Sequence, residues 1–292
     1  MVPDRPPHGP VGQQGRGRGD PRQYREAVGP RLPPRVCFGA TTSPVRSGSV
    51  RLLLASDLHY ALPQLDWVLS EADGFDAVVL AGDHLDIGSM VPLESQIVVM
   101  QTYLRNLQER ATTIVCSGNH DLTGRNEYDE KSAPWVEQAA APTTIVDWQT
   151  LDLDGARVTV CPWWDGPNTR ELVAEQLATD AAERPRRWIW VYHYPPDAAP
   201  VSWTGRRHIG DTDLNEWIDR YQPDLVLTGH IHDSPFREGG SWLAQLGDTW
   251  VINAGHTTGP IPAHAIVDTV AGTAQWWSPY GQDTQRLWAS DT

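Results

Sequence analysis

The segment Thr113-Ile-Val-Cys-Ser-Gly-Asn-His-Asp121 changes character in the middle. Its first four residues are β-branched or apolar, which predicts a buried strand that ends at Cys116. Its last four residues, Gly-Asn-His-Asp, place an amide, an imidazole and a carboxylate directly after that strand. In open α/β sheets, ligand sites form outside the carboxyl ends of the strands, so this segment predicts both a strand and a site at its end.

The same arrangement recurs after four other predicted strands. These strands are Val50 to Ala55, Ala77 to Ala81, Trp188 to Tyr192 and Leu225 to Leu227. The polar segments that follow them are Asp57-Leu-His59, Gly82-Asp-His-Leu-Asp86, His193 and Gly229-His-Ile-His232. Because the carboxyl ends of strands can meet in one crevice, we expect these five loops to converge, although they are spread over more than 170 residues.

Helical patterns alternate with the predicted strands. Apolar residues at three- and four-residue spacing predict a helix over Leu93 to Arg110, and Leu214 to Tyr221 has a helical pattern as well. Further strands are predicted at Val251 to Ile252, on both sides of an Asp154-Gly155 hairpin turn, and in an antiparallel pair, His264 to Val270 with Ala274 to Trp277. The pattern predicts a mixed α/β fold that forms one domain over residues 50–292.

Charge is distributed unevenly along the chain. The 292 residues carry a formal net charge of −14, but residues 1–49 contribute +5 and residues 50–292 contribute −19. Binding to nucleic acid depends on Lys and Arg that neutralise phosphates, so the acidic part is a poor candidate for a nucleic-acid-binding protein. If it binds a phosphate group, cations have to assist.

Residues 1–49 differ from the rest of the chain in composition. They contain 9 Pro and 8 Gly but no Trp, and they show no apolar periodicity. Such a segment buries too little apolar surface to offset the entropy of ordering, so we expect a disordered tail. The alternative is a basic arm that binds RNA or an acidic partner.

Several features bear on the compartment. Apolar runs end after a few residues, far short of the roughly 18 that a membrane-spanning helix needs, and the first 30 residues lack the apolar core of a secretory signal. Cys37, Cys116 and Cys161 are too few and too scattered for a disulfide framework. We therefore expect a cytoplasmic protein without membrane contact. The sequence does not predict its oligomeric state.

The side chains at the predicted crevice suit divalent cations. Imidazole binds Mn, Fe or Zn, whereas carboxylate and amide oxygens suit harder ions, and no thiolate accompanies them. Two neighbouring cations need a bridging anion, and Asp83, which follows Gly82, is the carboxylate best placed for it. We expect two divalent metal ions.

The motif series D-x-H, GDxxD, GNH[D/E], a lone His and GHxH is present in full and in this order, and it resembles that of the calcineurin-like metallophosphoesterase superfamily. The resemblance covers roughly residues 50–260. It implies a four-layer αββα sandwich, in which two mixed β-sheets pack together with helices outside.

The resemblance also implies a role for each motif residue. The implied ligands are Asp57, His59, Asp83 and His232 for one metal, and Asp83, Asn119, His193 and His230 for the second. His120 resembles the family's acid, which protonates the leaving alkoxide or stabilises charge on the phosphoryl oxygens. Asp121 is expected to orient the ring of His120.

The expected activity is hydrolysis of phosphomonoesters or phosphodiesters by in-line attack of a metal-bound hydroxide. We expect a small soluble substrate, of nucleotide type. One alternative within the superfamily is a nuclease, which the absence of a long insertion argues against. The other is a non-catalytic interaction scaffold, as in an endosomal sorting subunit that keeps this fold with a damaged metal site.

Several residues near the motifs have a plainer interpretation. Asp86 is either a residue behind the ligands or a turn cap, and His84 is expected at the surface or in packing. We favour packing roles for His256 and His264, although His256 could contact substrate phosphate. Arg206, Arg207 and His208 are expected in a solvated loop, with phosphate binding as the alternative.

Tryptophan is abundant, with 14 residues, all after residue 50. Trp188, Trp190 and Trp217 are expected in the core because they lie in predicted strands and a helix. Trp163, Trp164 and Trp203 lie in predicted loops, where one of them could stack on a nucleobase.

Overall fold

The computed structural model describes residues 50–153, 155–183 and 186–290. The tail predicted over residues 1–49 lies outside these residues, so its disorder and the domain boundary at residue 50 stay predictions. The described residues contain fifteen strands and five α-helices.

The helices and strands alternate along much of the chain. The strands are β1 (Arg51–Ala55), β2 (Ala77–Ala81), β3 (Thr112–Cys116), β4 (Gly124–Arg125), β5 (Lys131–Ser132), β6 (Thr144–Ile145), β7 (Thr150–Leu153), β8 (Ala156–Val160), β9 (Arg187–Val191), β10 (Leu225–Thr228), β11 (Leu243–Leu246), β12 (Thr249–Asn253), β13 (His264–Asp268), β14 (Thr273–Ser278) and β15 (Gly281–Arg286). The α-helices are α1 (Leu62–Glu71), α2 (Leu93–Leu107), α3 (Pro134–Glu137), α4 (Pro167–Ala182) and α5 (Thr212–Tyr221).

Two mixed sheets form the centre of the structure. Sheet 1 has seven strands in the order β15-β14-β13-β1-β2-β3-β6, and sheet 2 has six in the order β11-β12-β10-β9-β8-β7. In sheet 1, β1, β2, β3 and β6 are parallel, and β13 pairs with β1 in the antiparallel direction. In sheet 2, β8, β9, β10 and β12 are parallel, with antiparallel strands at both edges.

Alternate residues of each strand face different hydrophobic layers. Leu52 and Leu54 of β1 join the core between the sheets, together with Ile189 and Val191 of β9. The intervening residue Leu53 faces outward and packs with α1 and α2. On the outer face of sheet 2, Trp188 and Trp190 pack with Val173 and Leu177 of α4 and with Leu214 and Trp217 of α5. Three apolar layers thus separate four structural layers, and the predicted αββα sandwich is confirmed.

Most predicted elements are present with small shifts at their ends. The helix predicted to reach Arg110 is α2, which ends at Leu107 because residues 108–111 turn into β3. Strands β7 and β8 form the predicted hairpin, with Leu153 opposite Ala156, although Asp154 of its turn is not described. The core positions predicted for Trp188, Trp190 and Trp217 are confirmed, since all three are buried.

The helices α1, α3 and α4 were not predicted. Helix α4 buries polar residues on its inner face, including Thr169, Gln176 and Asp180. Each of them is hydrogen-bonded, as when Asp180 accepts from the hydroxyl groups of Thr150 and Thr159. A helix whose buried face is partly polar lacks the apolar periodicity on which the prediction depended.

Within the described residues, no helix is both long and apolar enough to span a lipid bilayer. Cys116 and Cys161 are buried free thiols.

The loop that carries Asn119 and His120 is fixed by a buried acid outside the motifs. Asp147, 3% exposed, follows β6 and accepts a hydrogen bond from the backbone N–H of Ser117 over 2.8 Å. Burial raises the pKa of Asp147 to about 7, although its hydrogen bonds with Ser117 act in the opposite direction. The folded protein therefore holds a proton at Asp147 over a pH range in which the unfolded chain has released it.

This difference predicts a pH-dependent stability. Between pH 4 and 7 the folded state binds more protons at Asp147 than the unfolded state, so this residue's contribution to the free energy of unfolding falls as pH rises, by up to about 1.4 kcal/mol per pH unit. Asp147→Asn keeps an acceptor for Ser117 and removes the titration. We expect denaturant unfolding from pH 4 to 8 to show that the free energy of unfolding of Asp147→Asn rises with pH relative to that of the wild type. Parallel curves would contradict the proton held at Asp147.

Candidate active site

Loops from both sheets meet at the carboxyl ends of their parallel strands. Sheet 1 contributes the loops after β1, β2 and β3, and sheet 2 contributes those after β9 and β10. The structure brings all seven predicted ligands and His120 together in one cluster. These residues are Asp57, His59, Asp83, Asn119, His120, His193, His230 and His232.

Asp83 lies at the centre of this cluster. Its Oδ2 atom is 3.4 Å from Nε2 of His193, 3.9 Å from Nε2 of His59 and 4.0 Å from Nε2 of His120. Its other oxygen, Oδ1, accepts a hydrogen bond from the backbone N–H of His120 over 2.8 Å. The carboxylate of Asp83 therefore faces three imidazoles while the backbone holds its orientation.

Asp57 is the second carboxylate of the cluster and is fully buried. Its Oδ1 atom lies 3.3 Å from Nε2 of His232 and 3.9 Å from Nε2 of His193. The backbone N–H of His230 donates to both of its oxygens, at 3.0 and 3.1 Å. His193 thus lies between the two carboxylates.

The remaining contacts close the cluster across the two sheets. Nε2 of His59 lies 3.0 Å from Nε2 of His232, and Nδ1 of His230 lies 2.8 Å from Oδ1 of Asn119. Each contact joins a residue from sheet 1 to a residue from sheet 2.

The backbone at the cluster is strained. Asp57, His59, Asp83 and His230 have φ angles of +55°, +42°, +54° and +67°. Positive φ is uncommon for residues other than glycine, and such positions cost about 1 to 3 kcal/mol each, so surrounding contacts have to hold them. Strain of this kind concentrates at functional sites.

Two motif glycines leave space for site residues of other loops. A Cβ atom at Gly82, where φ is +85°, would clash with the ring of His193. A Cβ atom at Gly118 would clash with the carboxylate and backbone of Asp83. Gly82 therefore makes room for His193, an interloop contact that the sequence pattern alone did not predict.

The electrostatics of the cluster favour positive charge. Burial alone would lower the pKa of His193, but the carboxylates of Asp83 and Asp57 raise it to about 9. Burial would likewise raise the pKa of Asp83, yet the charge of His193 and its contact with that residue lower it to about 2. The pKa of Asp57 is also held below its usual range by His232 and His193, against the effect of burial. Both carboxylates are ionised and attract a cation.

The donor atoms fit divalent cations. Nε2 of His193 is buried and makes no well-aligned hydrogen bond to any described residue. Three groups of side chains each have donor atoms within 4.8 Å of one another: Asp57, His59 and His232; His59, Asp83 and His120; and Asp83, His193 and His230. Nδ1 of His193 lies 2.7 Å from the carbonyl oxygen of Ala81, which accepts only and so leaves Nε2 without a proton in the neutral ring. Loss of the second ring proton would leave the lone pair of Nε2 between two carboxylates, an arrangement that would hold a cation in place of that proton.

Asp121 makes different contacts from those expected. Its Oδ1 accepts from the backbone N–H groups of His84 and Leu85, and its Oδ2 accepts from that of Gly118. Nδ1 of His120 is buried and has no hydrogen-bond partner among the residues that the structure describes. Asp121 therefore fixes the loops that carry Asp83 and His120, and it does not orient the ring of His120.

His256 and Trp163 are neighbours of the cluster that the motif series does not include. The ring of His256, which follows β12, lies 4.9 Å from that of His232 and 5.6 Å from that of His59. Trp163 lies 5.3 Å from the ring of His230 and stacks on Tyr194 at 5.1 Å. The position of His256 at the end of a parallel strand was the available signal for it.

The plainer interpretations of other residues hold. His84 is buried, with Nε2 2.9 Å from the carbonyl oxygen of Cys116. His264 packs between Trp67 and Trp277. Asp86 accepts from the N–H of Gly88, as a turn residue does.

The loop after residue 202 is solvated, as expected. Arg206, Arg207 and His208 are exposed. Trp203 donates its indole N–H to the carbonyl of Glu238 and lies beside His208. Trp203 thus contacts Glu238 and His208, a residue of its own loop.

Comparisons with known proteins agree with the fold. A crystal structure of TT1561 from Thermus thermophilus is similar with a TM-score of 0.53 at 16% identity, over 82% of this chain and 100% of that one. The structure of the purple acid phosphatase PPD1 from yellow lupin (Lupinus luteus) has a TM-score of 0.48 at 13% identity, over 83% of this chain and 52% of that one. At this identity the likeness to TT1561 shows a shared fold. No curated protein matches the sequence significantly.

The sequence itself decides the family. The profile described as calcineurin-like phosphoesterase matches residues 50–234, which is more than half of the chain and includes every strand end that carries a residue of the cluster. The chain belongs to the calcineurin-like phosphoesterase family.

Proposed function

We propose that this protein is a metal-dependent hydrolase of phosphomonoesters or phosphodiesters with a small organic group. The observation that supports it most is the overlap of the donor groups, because Asp83 belongs to two of the three and His59 links them to the third. A carboxylate shared in this way suits two neighbouring cations. Family membership supports the same chemistry.

The proposed ligands divide into two sets. They are Asp57, His59, Asp83 and His232 for one cation, and Asp83, Asn119, His193 and His230 for the other. Manganese, iron and zinc all accept these ligands. When bound, the cations would activate water as the nucleophile and neutralise the phosphate oxygens.

The charge of the protein makes this neutralisation important. Residues 50–292 carry −19, so the long-range field repels an anionic phosphoester. Two of these negative charges, those of Asp57 and Asp83, are buried at the site itself. Substrate binding therefore depends on cations held locally by these carboxylates.

His120 is the proposed acid. Its Nδ1 atom is buried without a hydrogen-bond partner in the described part of the chain, whereas its Nε2 atom faces Asp83 at 4.0 Å. A proton on Nδ1 would be a buried, unsatisfied donor, so the neutral ring holds its proton on Nε2. His120 is about a quarter exposed, so that proton can reach the oxygen of a leaving group.

The organic part of the substrate has an aromatic neighbour. Trp163 and Tyr194 are stacked beside His230 and are only partly buried. Flat aromatic side chains next to a phosphate-binding site favour substrates with an aromatic group, such as a nucleobase. We therefore propose a nucleotide-type ester as the substrate class.

The first test addresses the shared carboxylate. Asp83→Asn keeps the shape but removes the charge, so we expect hydrolysis of bis-p-nitrophenyl phosphate with Mn²⁺ to fall at least about 100-fold. Bound manganese should fall below two ions per chain. Asp86→Asn is the matched control in the same loop and should stay near the wild type. Full activity of Asp83→Asn would contradict the proposal.

The second test addresses the acid. His120→Ala should lower kcat by about 10² to 10⁴ for phenyl phosphate, a poor leaving group, and by less for p-nitrophenyl phosphate, whose leaving group needs little protonation. Metal content should be unchanged. An equal loss with both substrates would rule out proton donation by His120.

The third test addresses the aromatic neighbour. Trp163→Ala should raise KM for a nucleoside monophosphate about 5- to 150-fold relative to glycerol phosphate, because about 1 to 3 kcal/mol of stacking is lost. Trp203→Ala removes a tryptophan from a different loop and serves as the control. A uniform change for both substrates would exclude a stacking role for Trp163.

A further inference from the structure

The segment Asn253–His256 begins at the last residue of β12 and contacts the loop after β10 and the loop that carries Asp57. Asn253 is fully buried, and its Nδ2 atom donates to the carbonyl oxygens of Gly229 and Ile231, each at 3.0 Å. These two carbonyls lie on either side of His230. Asn253 therefore fixes the loop that supplies His230 and His232.

His256 continues this bracing across the site. Its backbone N–H donates to the carbonyl of His232 over 3.1 Å, and its ring Nδ1 lies 2.7 Å from the carbonyl oxygen of Asp57. A carbonyl only accepts, so Nδ1 of His256 carries the proton and donates it. One residue thus joins the His232 loop of sheet 2 to the Asp57 loop of sheet 1.

The residue that it holds is under strain. Asp57 has a φ of +55°, and its carboxylate has to stay within 3.3 Å of Nε2 of His232. A strained conformation persists only when surrounding contacts hold it. The hydrogen bond to the carbonyl of Asp57 is such a contact. It acts on the backbone of Asp57 and occupies neither of its carboxylate oxygens.

We propose that His256 is a positioning residue that sets the separation of Asp57 and His232 through its Nδ1–H donor. The inference rests on the proposed metal-dependent function. According to this proposal, His256 affects the site through the Nδ1 side of its ring. The rival is a direct role for its Nε2 atom.

Two substitutions separate these roles. His256→Leu keeps a similar volume and removes both ring nitrogens. His256→Asn retains an N–H donor close to the place of Nδ1 but removes the Nε2 side. His264→Leu is the matched control, because His264 is a histidine whose Nδ1 likewise contacts a carbonyl, that of Pro262 at 2.9 Å.

The experiment is titration calorimetry of the metal-free full chain with Mn²⁺, accompanied by thermal unfolding of each variant. Removing a residue that orients a metal ligand typically weakens metal binding about 10- to 100-fold, and we expect that loss in His256→Leu. His256→Asn should bind Mn²⁺ with nearly the wild-type affinity. His264→Leu is expected to lower the unfolding temperature without weakening Mn²⁺ binding.

Each other outcome is decisive. Equal affinity in the wild type and in His256→Leu would overturn the positioning role alone. Weak binding in both His256→Leu and His256→Asn would overturn it in favour of Nε2. If the wild type bound no Mn²⁺, the proposed function would fail together with this inference.

Discussion

Two ionised carboxylates buried within reach of one imidazole are the constraint on which the rest of the structure depends. Asp57 and Asp83 are at most 2% exposed, and His193 lies between them. Buried charges of the same sign are costly unless positive charge compensates them. In the absence of a cation, the raised pKa of His193 keeps its ring protonated, and the positive charge of the ring supplies part of that compensation. The site thus favours positive charge between Asp57 and Asp83.

The fold satisfies this constraint by distributing the strain over loops anchored in two sheets. Residues that follow β1, β2 and β10 adopt left-handed backbone angles, which persist only when surrounding contacts hold them. Buried side chains that are not among the proposed metal ligands hold the site loops through backbone groups. Asp121, Asp147 and Asn253 all act in this way. The site therefore depends on residues that need not touch a substrate.

Much of this could be predicted from sequence, for identifiable reasons. Parallel strands buried on both faces, such as β2 in Ala77–Ala81, are continuous apolar runs and were easy to recognise. The polar motifs at their ends predicted which loops meet, because the carboxyl ends of the strands determine it. The cluster from Asp57 to His232 followed from these two facts.

The rest depended on contacts that have no local signal. Helix α4 was missed because its buried face includes Gln176 and Asp180, whose partners lie in sheet 2. Strand β15 is exposed along its whole length and has no apolar pattern. The expected contact of Asp121 with the ring of His120 was wrong, since backbone N–H groups from two loops bind its oxygens. Such hydrogen bonds are determined by tertiary structure.

We propose that the cluster binds two cations that share Asp83. A crystal grown with Mn²⁺ and measured at a wavelength where manganese scatters anomalously tests it most directly. We expect two anomalous peaks, one on each side of the carboxylate of Asp83. A single peak, or peaks away from both Asp57 and Asp83, would contradict it.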